Sequence, residues 1–150
     1  MMHASSSWNH HQMHHLLDRY QDFLEEDISD YHQYVDELKN RERYAIELDF
    51  NGWDRDVPNG FLFSFKKSVE KTGLYCGFNQ TFYRVIVSPY PSIVRVLCYV
   101  AIPMWENTII RGLLFGYSKQ EVNQFIDKII IEKYGKKVLE EEKNGKLCDF

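Results

Sequence analysis

Between Leu16 and Lys39 the apolar residues recur with a helical period over an acidic background. Leu17, Leu24, Tyr31 and Leu38 fall seven residues apart, and Ile28 and Val35 form a second row four residues after Leu24 and Tyr31. Such a stripe belongs to a long amphipathic helix and must be buried against something. The cover is either the chain's own sheet or another chain. The spacing suits a homodimer through Leu17, Leu24, Ile28, Tyr31, Val35 and Leu38. Asn9 followed by Gln12 has capping-box spacing, so the helix is expected from about His10 to about Lys39. A kink, or a meeting of two shorter helices, is allowed at 27–30, because Ser29 and Asp30 cap helices better than they fill them.

Downstream the period changes to two. Tyr44, Ile46, Leu48 and Phe50 alternate with Ala45, Glu47 and Asp49, which predicts a strand buried on one face. Residues 51–60 (NGWDRDVPNG) are turn chemistry. The alternation then resumes at Phe61, Phe63 and Phe65, at Leu74, Cys76 and Phe78, and at Tyr83, Val85 and Val87. Residues 93–102 are nearly all apolar and read as a strand covered on both faces. Pro103 opens a helix with Trp105, Ile109, Gly112, Leu113 and Gly116 on one stripe, in which Gly112 and Gly116 permit close approach of another element. Ser118–Glu121 is a capping box for a last helix with Val122, Phe125, Ile126, Ile129 and Ile130 on its buried face, and Gly135 stops it. The expected fold is α+β in two layers: an antiparallel meander of about five strands, with the N-terminal helix and two C-terminal helices packed on one face. One domain spans 1–150, with 1–8 a loose leader and about 136–150 a charged, partly flexible tail.

Charge is unevenly placed. Of 22 acids and 18 bases, residues 1–40 hold eight acids against Arg19 and Lys39, leaving 14 acids and 16 bases beyond. A net charge of −4 gives no overall attraction to nucleic acid or an anionic membrane, although Lys66, Lys67, Lys71, Arg84 and Arg95 lie near aromatic strands. Three cysteines without a CxxC pair, no basic-apolar leader and no spanning apolar run predict a cytoplasmic protein.

Three groups of residues can carry chemistry. His10 and His14, and likewise His11 and His15, are four apart, so a helix converges each pair on one side, where two imidazoles can chelate zinc or nickel. Asp18 or His3 is a candidate further ligand, and there is no HExxH to supply a hydrolytic base. The competing reading is a polar helix start that happens to be rich in His. Trp53, Asp54, Arg55 and Asp56 form a loop of the kind enriched at interfaces, and its alternative is a hairpin folded over the sheet edge. Glu25, Glu26, Asp27 and Asp30 form an acidic segment able to meet a basic partner. GxSxG, GxGxxG and P-loop patterns are absent. The chain therefore reads as a non-enzymatic protein-binding module of the inhibitor, immunity, antidefence or dedicated-chaperone type. A metal-binding or metal-sensing protein is the first alternative. A ligand-binding domain or enzyme with a pocket between sheet and helices is the second.

Overall fold

Asn9 starts the first helix as the sequence prescribes: its side-chain oxygen accepts the Gln12 N–H at 2.9 Å. In the computed structural model, which describes residues 8–50, 60–79, 84–99 and 104–134, this helix (α1, His10–Arg19) is ten residues long. It is followed by a single 3-10 turn, Gln21–Phe23, and then by α2, Ile28–Lys39. The single long helix is thus corrected to two, and the break falls at 20–27 rather than 27–30. Its cause is the sheet. Leu24 leaves the helix to bridge Phe50, and the Glu25 N–H donates to the Asp49 carbonyl at 3.0 Å. Asp27 then caps α2 by accepting the Ser29 N–H at 2.8 Å.

The chain divides into two compact units, 1–100 and 101–150. The first contains the sheet: β1 (Ile46–Asp49), β2 (Tyr75–Asn79) and β3 (Arg84–Ser88), in the order β1-β3-β2 with both pairings antiparallel. Ile46 and Leu48 face Val87 and Val85 across one pair, and Cys76 and Phe78 face the same residues across the other. Arg84 binds Glu47 at 2.6 Å and Asp49 at 2.7 Å, tying the far ends of β1 and β3 together. Ser88 is buried yet satisfied, donating to the Tyr44 carbonyl at 2.6 Å and accepting the Tyr90 N–H at 3.0 Å.

Two expected strands are helices instead. Phe61–Lys71 is α3: Phe61, Phe65 and Val69 are buried at a four-residue period, while Phe63, which alternation would have placed with them, is 63% exposed. Pro91–Tyr99 is α4, begun by a proline whose fixed φ suits a first helical position, with Ile93, Val94 and Leu97 buried and Arg95 exposed. The meander of about five strands therefore becomes three strands among the described residues, and the layout changes with it. The face carrying Ile46, Leu48, Cys76, Val85 and Val87 shares a core with α1, α2 and α3. At Gly77, paired with Ile86, α4 approaches so closely that a Cβ would stand 2.7 Å from Val94 Cγ1 and 3.0 Å from Cys98 Sγ. Helices thus cover both faces of this sheet rather than one.

The heptad stripe is spent within this unit. Leu17, Leu24, Tyr31, Val35 and Leu38 are buried in the core with Met13 and Leu16, and Ile28 packs against it. Burial also pushes the Tyr31 hydroxyl up to about 12 and raises the Cys76 thiol well above its ordinary range.

The second unit holds α5 (Met104–Leu114) and α6 (Lys119–Tyr134), a helical hairpin turned at Gly116, whose φ is 93°. The capping box forms as written: the Glu121 N–H donates to Ser118 Oγ at 3.1 Å, and the Ser118 N–H donates to Glu121 Oε1 at 3.2 Å. A Cβ on Gly112 would lie 2.6 Å from Val122 Cγ2, which is the close approach expected of that glycine. No helix among the described residues is long and apolar enough to cross a membrane.

Candidate metal centre

The two N-terminal helices run antiparallel, each presenting titratable side chains at a four-residue period. On α1 these are His10, His14 and Asp18; on α2 they are His32 and Asp36. The rows mesh as a ladder. His10 Nε2 lies 2.6 Å and His14 Nε2 2.9 Å from the same oxygen, Asp36 Oδ1, while His32 Nε2 lies 2.9 Å from Asp18 Oδ1. The rings meet at a tilt between the rungs, with centroids 4.5 Å apart for His10 and His14 and 4.3 Å for His14 and His32. Behind the ladder, Met13, Leu17, Tyr31 and Val35 are fully buried and fix the spacing of the helices.

Electrostatics follow from this geometry. The imidazole N–H of His10 is the main cause holding the Asp36 carboxyl below its ordinary value; burial opposes it, and the His14 bond adds to the lowering. His14 is held below its ordinary 6.5, first by loss of hydration and then by the nearby His32 and His10, with its bond to Asp36 opposing. His14 is thus neutral at pH 7 and Asp36 ionised, the protonation states a metal ion requires of its ligands. His32 Nε2 is buried and is not aligned on Asp18 for a hydrogen bond, although the two atoms lie 2.9 Å apart.

His10, His14 and Asp36 each offer one ligand atom, all within 4.8 Å of one another. Two imidazoles and a carboxylate form a donor set for zinc or nickel, with one position left open. Tetrahedral coordination with bonds of ~2.0–2.1 Å separates ligand atoms by about 3.3 Å. The present contacts of 2.6 and 2.9 Å would have to open slightly as an ion replaced the two bridging protons.

Of the four histidines singled out in the sequence, His10 and His14 join this cluster. His11 is exposed, its ring meeting that of His10 edge-on at 5.5 Å, and His15 is exposed on another side of α1. Asp18 pairs with His32 rather than with His14. Asp36 and His32 were not legible as partners, although their own four-residue spacing mirrors that of His10 and His14 across an antiparallel pair. Glu25, Glu26, Asp27 and Asp30 are exposed at the entry to α2, where Asp27 serves as its cap. His3, Trp53, Asp54, Arg55 and Asp56 lie outside the described residues. No protein-family model, curated protein or solved structure matches the chain.

Proposed function

We propose that this protein binds a divalent transition-metal ion, zinc or nickel, through His10, His14 and Asp36. The observation that carries this reading is the convergence of three ligand atoms, from two different helices, within 4.8 Å. Ligands from both helices make the ion a clamp on the α1–α2 pair, so occupancy is linked to the stability of that pair. At a free concentration of 100 times Kd the linkage is worth about 2.7 kcal/mol. Such coupling suits a protein whose state follows metal supply. Calorimetric titration with zinc is expected to give one ion per chain, with affinity falling at least tenfold in His10→Ala and in Asp36→Asn. His11→Ala and His15→Ala should match the parent. Equal losses in all four variants, or several ions bound without order, would discard the site.

A second reading, a protein-binding module, is supported by the acidic corner. Glu25, Glu26, Asp27 and Asp30 are exposed within six residues. Their field reaches the sheet: the Asp49 carboxyl is pushed up mainly by burial, with Glu47, Glu25 and Glu26 adding to it and Arg84 opposing. A basic partner surface would be steered there. Binding of such a partner, identified by co-purification, should weaken when Glu25, Glu26 and Asp30 are changed to Lys, and unchanged affinity would remove the acidic corner from the interface.

A further inference from the structure

Arg19 and Lys71 face a single cleft of about 310 Å3 between α1 and α3, whose wall also contains Gln12, His15, Leu16, Ser68 and Thr72. Its two sides are helical stripes. Gln12, His15, Leu16 and Arg19 share one face of α1, and Ser68 and Lys71 share one face of α3, continued by its C-cap, Thr72. No carboxylate is among the lining residues, although the whole chain carries −4. Cations at helix C-termini ordinarily need only the helix dipole to explain them. Here both last-turn cations open onto the same cleft, and neither forms an ion pair with a carboxylate among the described residues.

We propose that this cleft is a binding site for the phosphate group of a small molecule, held between the Arg19 guanidinium and the Lys71 ammonium. Arginine offers a planar fork that bonds two phosphate oxygens at once, and lysine adds a mobile point charge. The His15 imidazole, the Gln12 amide and the Ser68 hydroxyl are further groups able to donate to oxygens that the cations leave over. Thr72 contributes shape rather than a proton, since its hydroxyl already donates to the Val69 carbonyl at 2.6 Å. Buried Leu16 gives the cleft an apolar floor. The volume lies at the lower end of small-molecule pockets (roughly 300–1,000 Å3), which suits a ligand little larger than a phosphorylated sugar. The site is distinct from the proposed metal centre, which uses other residues of α1.

The test is titration with inorganic phosphate and, separately, with glucose 6-phosphate, both in the presence of EDTA so that no ion at His10 or His14 contributes. Saturable binding of one phosphate per chain is expected, weakened at least tenfold in Arg19→Gln and in Lys71→Gln and unchanged in Lys67→Gln, which alters an exposed cation elsewhere on α3. Thermal melts of each variant separate loss of binding from loss of fold, and Arg19→Lys should recover part of the affinity. Tighter binding of the sugar phosphate assigns the site to organic phosphates, whereas tighter binding of the inorganic ion assigns it to free phosphate. Uptake that does not saturate, or equal affinity in the parent and both Gln variants, would overturn the proposal while leaving metal binding untouched.

Discussion

Asp36 is the shared acceptor for two imidazoles, and its position gives the protein a pH dependence whose sign can be worked out. His14 has a folded-state value below its ordinary 6.5, so the unfolded chain takes up the proton first as pH falls. Its contribution to stability is complete above the ordinary value and declines as pH drops from there towards the folded value. Asp36 is likewise held below its ordinary 3.8, and the stability it carries is present above that value and lost as pH falls through the folded one. Asp49, pushed up by burial, acts with the opposite sign: its contribution is unfavourable while ionised and is relieved by protonation. The urea midpoint is therefore expected to fall between about pH 7 and pH 5, before Asp36 titrates. The same measurement on His14→Gln should flatten that limb. A parent midpoint that stays level across this range would contradict the assignment of His14. At pH low enough to protonate His14, protons and metal compete for the same nitrogen, so zinc binding there should release protons, and calorimetry in buffers of different ionisation enthalpy reads that release directly.

At the scale of elements, the helix termini were the most legible parts of the chain, because caps are local chemistry. Asn9 with Gln12 and Ser118 with Glu121 form the bonds their spacing implies. The face of each element was less legible. Residues 61–66 satisfy both periods: Phe61, Phe63 and Phe65 alternate, but Phe61 and Phe65 are also four apart, and the continuation to Val69 decides for a helix. In 93–99 the β-branched residues favour a strand intrinsically, and burial of Ile93, Val94 and Leu97 against the sheet overrides that preference. Gly77 reports this override from the other side. Gly77→Ala would place a methyl group 2.7 Å from Val94 Cγ1, so Val94 or α4 must shift. A loss of about 1–3 kcal/mol in urea unfolding is the expected cost. Restoration by the double variant with Val94→Ala would locate the clash at that contact. Had residues 93–99 been a strand, Gly77→Ala would not be coupled to position 94 in this way.

For the molecule as a whole, the mixture of helix and antiparallel sheet followed from periodicity, whereas the number of strands and the division between two sheet faces did not. Those depend on which apolar faces meet, and that is decided by pairings far apart in the sequence, such as Leu24 with Phe50. The ladder had the same limit. Half of it, His10 and His14, is written as local spacing, but its carboxylate lies 22 and 26 residues away on a helix that only the break after Arg19 folds back. That break also converts an apparent dimerisation stripe into the cover of the chain's own sheet. One consequence concerns Cys76, buried at 6% exposure where β2 meets the shared core and with its thiol raised by that burial. Alkylating reagents attack the thiolate, so this sulfur is silent while the sheet is closed and reactive only during excursions that expose β2. The protein thus carries its own clock: where reclosing outpaces labelling, the rate at which Cys76 is modified counts how much of the time the sheet stands open.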